Sequence, residues 1–170
     1  GIISPMINST DEAREVVNIA KFPPIGKRGV GNPRSTKYGI HGADYMEKCY
    51  ETQNKNQSVI VQIETVEALD NLDDIASVEG VDSLFVGPWD LSHSLDQTST
   101  ASGDNLFEEA LDKILEKSGE HEVSVGIFVW DSNDGKKRLD QGFDYVICSG
   151  DIIFLANSAE EELKKIEERS

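Results

Sequence analysis

The apolar positions of this chain alternate between short continuous runs and longer segments in which they recur every three or four residues. The runs are rich in β-branched side chains and are typical of buried strands, whereas the recurring spacing is typical of helices that pack on one side. Strands are predicted at 1–7, 58–64, 83–86, 123–129 and 145–148. Helical segments separate them, so the sequence predicts five β/α units in one domain that spans residues 1–170.

Local signals support several helix boundaries. Ser9 is followed three residues later by Glu12, which is the pattern of a capping box at a helix start. Pro23 and Pro24 end this helix, because proline cannot continue the hydrogen-bond ladder. Asp151 is expected to cap the last helix. The other helices are predicted near 43–54, 66–75, 106–117, 136–141 and 153–168.

Two architectures accommodate five β/α units. Strands that are buried on both faces and separated by helices indicate a parallel sheet. One possibility is a five-stranded doubly wound sheet, which 170 residues would fill. The other is part of a (β/α)8 barrel, because a whole barrel needs eight units and about 250 residues. The pattern alone favours the doubly wound sheet.

In both architectures ligands bind at the carboxyl ends of the strands. Gln62 and Glu64 lie two residues apart at the end of one predicted strand, so their side chains point to the same side. Asp90 follows the next strand. Two carboxylates without a neighbouring Cys or His suit a hard cation such as Mg²⁺ or Mn²⁺. Two structural alternatives remain open: Glu64 caps the following helix, or Asp90 caps a turn at 91–92.

Composition narrows the choice of partners and of cell compartment. The formal charge is −16, which disfavours nucleic-acid phosphates as partners. No apolar run is long enough to span a membrane. Cys49 and Cys148 have no metal-ligand spacing and are expected to be reduced thiols of a cytoplasmic protein. His41, His93 and His121 are expected in solvated loops.

Several motifs follow one another in an order that makes the chain recognisable. These are Ile3-Ser-Pro-Met6, Lys27-Arg-Gly-Val-Gly31, Val61-Gln-Ile-Glu-Thr65, Val78-Glu-Gly-Val81, Phe85-Val-Gly-Pro-Trp-Asp-Leu-Ser92 and Phe154-Leu-Ala-Asn157. Together they resemble the HpcH/HpaI aldolase/citrate lyase family, typified by 4-hydroxy-2-oxoheptanedioate aldolases. The resemblance implies an incomplete α/β (β/α)8 barrel of the TIM type, strands four to eight, in place of the doubly wound sheet.

The resemblance also implies a reaction and a set of site residues. The family's class II aldolases use Mg²⁺, Mn²⁺ or Co²⁺ to cleave 4-hydroxy-2-oxo acids to pyruvate and an aldehyde. Carried over by motif, Glu64 and Asp90 are the metal ligands. Gln62 is a catalytic residue that contacts pyruvate or the metal's water. The backbone around Gly87 and Trp89 receives the pyruvate carboxylate.

The family's first three β/α units, with a catalytic His and an oxyanion-stabilising Arg, have no counterpart in this sequence. The resemblance therefore implies impaired activity for this chain alone. A non-catalytic fragment that acts as a binding or assembly partner is one alternative, and a citrate-lyase-like or malyl-CoA-lyase-like enzyme is another. The resemblance further implies a homo-oligomer in which the terminal helix, about 153–168, packs on a neighbouring subunit.

Overall fold

The computed structural model describes residues 1–98 and 103–167. Its centre is a five-stranded sheet in which every neighbouring pair is parallel and the strands follow one another in chain order. A doubly wound sheet reverses its strand order at a switch point, and this sheet has no reversal. The sheet is five strands of an incomplete (β/α)8 barrel, so the expectation from the pattern alone is wrong and that from the resemblance is confirmed. The strands are β1 (Ile2–Ser4), β2 (Val59–Ile63), β3 (Ser83–Val86), β4 (Ser124–Val129) and β5 (Tyr145–Cys148).

The helices follow the predicted order with two differences. The segment predicted as one helix at 66–75 is two short helices that meet at Asn71. An additional helix follows β3, where the sequence suggested only a turn. The helices are α1 (Thr10–Ala20), a 3-10 helix (Arg34–Gly39), α2 (Ala43–Asn56), α3 (Val66–Asp70), α4 (Leu72–Ala76), α5 (Pro88–Thr98), α6 (Gly103–Glu120), α7 (Ser132–Gln141) and α8 (Asp151–Glu167). Among the described residues, no helix combines the length and the apolarity needed to cross a membrane.

Helix caps explain why several of these elements begin where they do. The Ser9 hydroxyl accepts a hydrogen bond from the Glu12 N–H at 3.3 Å, and the Glu12 carboxylate accepts one from the Ser9 N–H at 3.1 Å. The predicted capping box is therefore confirmed. Asp151 is not the cap of α8 but its first residue, because the preceding Gly150 carbonyl accepts the bond from the Phe154 N–H at 3.0 Å.

The two faces of the sheet have different surroundings. The convex face packs against the helices, and its side chains in β2, Val59, Val61 and Ile63, are fully buried. Each such side chain contributes about 1.5–3 kcal/mol to stability. On the concave face Gln62, Phe85, Gly126 and Tyr145 are register partners across four strands. The Tyr145 ring lies where a Cβ on Gly126 would be, and its hydroxyl is 2.9 Å from the Ser83 hydroxyl.

A charged cluster joins α6 to α7 on the outside of the sheet. The Glu108 carboxylate accepts hydrogen bonds from Lys137 at 2.8 Å, from Arg138 at 3.0 Å and from Gln141 at 3.1 Å. Partial burial by itself would raise the pKa of Glu108, but the three hydrogen bonds and the Arg138 charge outweigh it. The pKa falls from 4.5 to about 2.

The depressed pKa of Glu108 predicts a pH-dependent contribution to stability. A carboxylate whose pKa is lower in the folded state stabilises the fold above its unfolded pKa, here 4.5, and loses that contribution as the pH falls towards about 2. Between pH 5 and pH 3 the wild type should therefore lose more unfolding free energy than Glu108→Gln. Urea unfolding followed by circular dichroism measures both. Glu109→Gln, at the exposed neighbouring position, is the matched control and should behave as the wild type. Parallel loss in Glu108→Gln and wild type would contradict the assignment.

Candidate functional site

Glu64 is a buried carboxylate at the carboxyl end of β2. Only 3% of its surface is exposed. Its Oε1 accepts a hydrogen bond from the Met6 backbone N–H at 2.7 Å, and its Oε2 accepts one from Gln62 Nε2 at 3.0 Å. These bonds hold the carboxylate in one orientation and leave further lone pairs on both oxygens for another ligand.

The Met6 amide reaches Glu64 because of an unusual backbone conformation. Met6 follows β1 after Pro5, and its φ is 54°, in the left-handed region that side-chain-bearing residues rarely occupy. That conformation costs about 1–2 kcal/mol. Glu64 accepts the bond from a residue that precedes it by 58 positions. Sequence reasoning missed this contact, because no local pattern marks it.

Neither carboxylate caps a helix in the way the structural alternatives required. The Thr65 hydroxyl caps α3 by accepting a bond from the Ala68 N–H at 3.0 Å, so Glu64 is not needed for that purpose. Asp90 lies inside the first turn of α5. That helix starts with the Gly87 carbonyl, which accepts from the Leu91 N–H at 2.9 Å. Pro88 then occupies a position where proline is favoured.

Gly87 lets the end of β3 come close to the carboxylate. A Cβ built on Gly87 would overlap Glu64 Oε2 and would lie 3.1 Å from Gln62 Nε2. Gly87 is buried, and its backbone conformation is not one that requires glycine. Glycine is thus required here because the Glu64 carboxylate and the Gln62 amide already occupy the position that a side chain would take.

The electrostatics of the site favour a cation. Burial raises the pKa of Glu64, the Met6 N–H opposes that rise, and the negative charge of Asp90 adds to it. A positive charge beside Glu64 would stabilise its ionised form, because it would offset both the burial and the repulsion from Asp90. The carboxylate oxygens of Glu64 and Asp90 fit a hard divalent cation.

Beside this carboxylate lies a cavity of about 230 Å³. It brings together the predicted residues Gln62, Gly87, Trp89 and Asp90. Glu64 is not a lining residue, but its carboxylate accepts a hydrogen bond from the lining residue Gln62. Sequence reasoning missed the remaining lining residues. They are Phe85, Pro88, Phe128 and Trp130.

None of the three histidines is among the residues that line this cavity, and a second acidic group lies elsewhere. His93 is in α5 and not in a loop, which corrects that expectation. His121 lies near Asp73 and Glu120 just before β4, at the opposite end of the sheet from Glu64. The Lys117 ammonium, 3.0 Å from Asp73 and 2.5 Å from Glu120, already supplies the positive charge there. This group therefore gives no reason to invoke a metal.

The family model for HpcH/HpaI aldolase/citrate lyase matches residues 1–157. The chain belongs to this family. It is 34% identical over 161 residues to a 4-hydroxy-2-oxo-heptane-1,7-dioate aldolase of Escherichia coli, covering 94% of this chain and 59% of that protein. It is 32% identical to a 4-hydroxy-2-oxovalerate aldolase of Novosphingobium aromaticivorans, covering 99% of this chain and 62% of that protein.

Solved structures agree with this assignment. An HpcH/HpaI aldolase/citrate lyase family protein from Burkholderia cenocepacia superposes with a TM-score of 0.84 at 31% identity, covering 97% of this chain and 64% of that one. The chain thus spans less than two thirds of the length of these family members.

The packing around Gly87 generates a prediction about metal affinity. In Gly87→Ala the new methyl group must displace the Glu64 carboxylate from its two hydrogen bonds. We expect about 10- to 100-fold weaker Mn²⁺ binding, which is the usual cost of disturbing the groups that orient a ligand. Isothermal titration calorimetry measures the affinity. Gly119→Ala is the matched control, because a Cβ there meets no atom within 4 Å, and its affinity should equal that of the wild type. Unchanged affinity in Gly87→Ala would contradict the packing argument.

Proposed function

We propose that this chain carries the metal and pyruvate site of a class II aldolase that cleaves 4-hydroxy-2-oxo acids to pyruvate and an aldehyde. The observation that carries the proposal is the buried Glu64 carboxylate, oriented by Met6 and Gln62 beside Asp90 at the carboxyl ends of barrel strands. Family membership and the aldolases among its relatives support the same reaction class.

Glu64 and Asp90 would hold the divalent cation, Mg²⁺, Mn²⁺ or Co²⁺. When bound, it supplies Lewis acidity and a positive charge beside the 2-oxo group. In the reaction the C3–C4 bond breaks and its electron pair stays on C3. The C4 hydroxyl gives up its proton as the aldehyde forms, and C3 takes up a proton to complete pyruvate. Gln62 Nε2 is fixed by Glu64, so its amide is oriented for the substrate oxygens or a bound water.

The start of α5 would bind the pyruvate carboxylate. Because the first intrahelical bond reaches Gly87 from Leu91, the N–H groups of Trp89 and Asp90 have no intrahelical acceptor. Such groups at a helix N-terminus bind anions. Gly87 has no side chain to obstruct that approach. Trp89 therefore contributes its backbone to the carboxylate while its indole stays on the cavity wall.

A second proposal concerns assembly. None of the described residues of α8 is buried. Its exposed apolar residues include several that are more than half exposed: Ile152, Phe154, Leu155, Leu163 and Ile166. An amphipathic helix with an uncovered apolar side is stabilised by a partner. We propose that a second copy of this chain covers α8, giving a homo-oligomer.

Metal and pyruvate binding test the proposed site. Calorimetric titration with Mg²⁺ and Mn²⁺ should show binding to the wild type, and Glu64→Gln and Asp90→Asn should each weaken it by more than about tenfold. Removing a direct ligand should cost at least as much as disturbing one that supports it. With Mg²⁺ present pyruvate should bind, and with a chelator it should not. Gln62→Ala should weaken pyruvate binding more than it weakens metal binding.

The matched control is Glu67→Gln, which removes the same charge at an exposed position in α3. It should leave both affinities unchanged. Equal metal affinity in the wild type, Glu64→Gln and Asp90→Asn would refute the metal site, and metal-independent pyruvate binding would refute the class II assignment.

The assembly proposal predicts a concentration-dependent mass. Light scattering coupled to gel filtration should show a multimer at micromolar concentration, and Leu155→Glu should shift it to a smaller species by placing a charge in the apolar contact. Ile19→Glu, at another exposed apolar position in α1, is the control and should not shift the mass. A folded wild-type monomer would rule the proposal out.

A further inference from the structure

Both tryptophans of the chain line the cavity beside Glu64. The sequence contains two, Trp89 and Trp130, and both contribute to the same wall. Phe85 and Phe128 complete it, so half of the lining residues are aromatic. They come from three positions along the sheet: the end of β3, the start of α5 and the end of β4.

Two ring pairs order three of the four aromatic residues of this wall. The Phe128 and Trp130 rings meet edge to face, with centroids 5.0 Å apart and planes at 85°. Phe85 is 4% exposed and stacks on Tyr145, outside the wall, at 6.1 Å. Such ring pairs prefer these geometries and hold one another in place. The part of the wall formed by Phe85, Phe128 and Trp130 is therefore preformed.

The outer part of the wall is exposed on the surface of this chain. Trp89 is 77% exposed and Trp130 is 54% exposed. Large aromatic faces in water at the mouth of a cavity retain most of their hydrophobic free energy for a ligand. A substrate that covers them gains that free energy on binding.

The charged residues of this wall do not favour a substrate tail that ends in a carboxylate. None of the described lining residues of this cavity is Lys or Arg, and the one charged lining residue is Asp90. A carboxylate on the far end of the substrate would lose water contacts without gaining a Lys or Arg partner on this wall. An uncharged ring avoids this desolvation penalty.

The geometry points to an uncharged aromatic group as the aldehyde part of the substrate, a proposal that rests on the proposed function of the site. Gln62 and the backbone of Gly87 lie at the pyruvate end. Phe128 lies two residues beyond Gly126, the register partner of Phe85, and so extends the same concave face towards the carboxyl edge. Trp130 continues that wall past the end of β4. We infer that Trp130 is the specificity-determining residue for the aldehyde substituent.

Binding of two uncleavable 2-oxo acids tests this inference. Neither 2-oxo-4-phenylbutanoate nor 2-oxohexanedioate has a C4 hydroxyl, so neither can undergo the retro-aldol step. They share the 2-oxo acid head and differ in an aryl or a carboxylate tail. The fluorescence of Trp89 and Trp130 follows each titration in Mg²⁺. We expect the aryl compound to bind about tenfold more tightly, on the scale of one favourable aromatic contact.

Variants at Trp130 assign the preference to that side chain. Trp130→Ala should bring the ratio of the two Kd values close to one, with Trp89 still reporting binding, whereas Trp130→Phe should keep most of the preference. Leu139→Ala, at an exposed apolar position in α7, is the control and should keep the wild-type ratio. Thermal unfolding of each variant verifies that it is folded, and the wild-type comparison stands independently of the variants.

The outcomes separate this inference from the proposed function. If pyruvate binds with Mg²⁺ but the carboxylate-tailed compound binds as tightly as the aryl compound, the specificity inference is wrong and the metal site stands. An unchanged ratio in Trp130→Ala would remove Trp130 from its assigned role. If neither pyruvate nor either analogue binds with Mg²⁺, the proposed function fails and the inference fails with it.

Discussion

The position of the Glu64 carboxylate is fixed by contacts from the ends of three neighbouring strands. Met6 comes from the turn after β1, Gln62 and Glu64 from β2, and Gly87 from the end of β3. A parallel ladder in chain order is what brings these ends to one edge of the sheet. A buried carboxylate without partners would cost several kcal/mol, so its two hydrogen bonds are a condition for keeping it there.

One face of the sheet is packed against the helices and stabilises the fold, and the other carries the candidate site. The convex face of β2 consists of Val59, Val61 and Ile63, which the helices bury completely. The concave face presents Gln62, Phe85 and Phe128, which line the cavity. Alternation along each strand allows neighbouring residues to serve these different purposes, because successive side chains point to opposite sides. The rigid core thereby orients the side chains that the proposed reaction requires.

Charge acts on the site at long and short range. The chain carries a formal charge of −16, and Asp90 adds a negative charge beside Glu64. Such a field concentrates cations near the cavity and disfavours additional substrate carboxylates. The positive end of α5 offers local compensation for one carboxylate at the pyruvate end. These two effects agree with the proposed contents of the site. These are a divalent cation and a substrate that has one carboxylate and is otherwise apolar.

Local rules in the sequence determined most of the elements and part of the candidate site. The period-two spacing of Gln62 and Glu64, the placement of Asp90 after the next strand and the Ser9–Glu12 capping box could all be predicted, because each depends on residues close together in the chain. Strand order could not be predicted from periodicity, because periodicity shows which side chains are buried but not which strands pair. The resemblance to the family predicted the strand order. Only the tertiary structure decided that the left-handed Met6 amide holds Glu64 from 58 residues away, that Gly87 is required for space and that Trp130 joins Trp89 at one cavity. These contacts join distant segments through the register of a parallel sheet, so they leave no pattern in the local sequence.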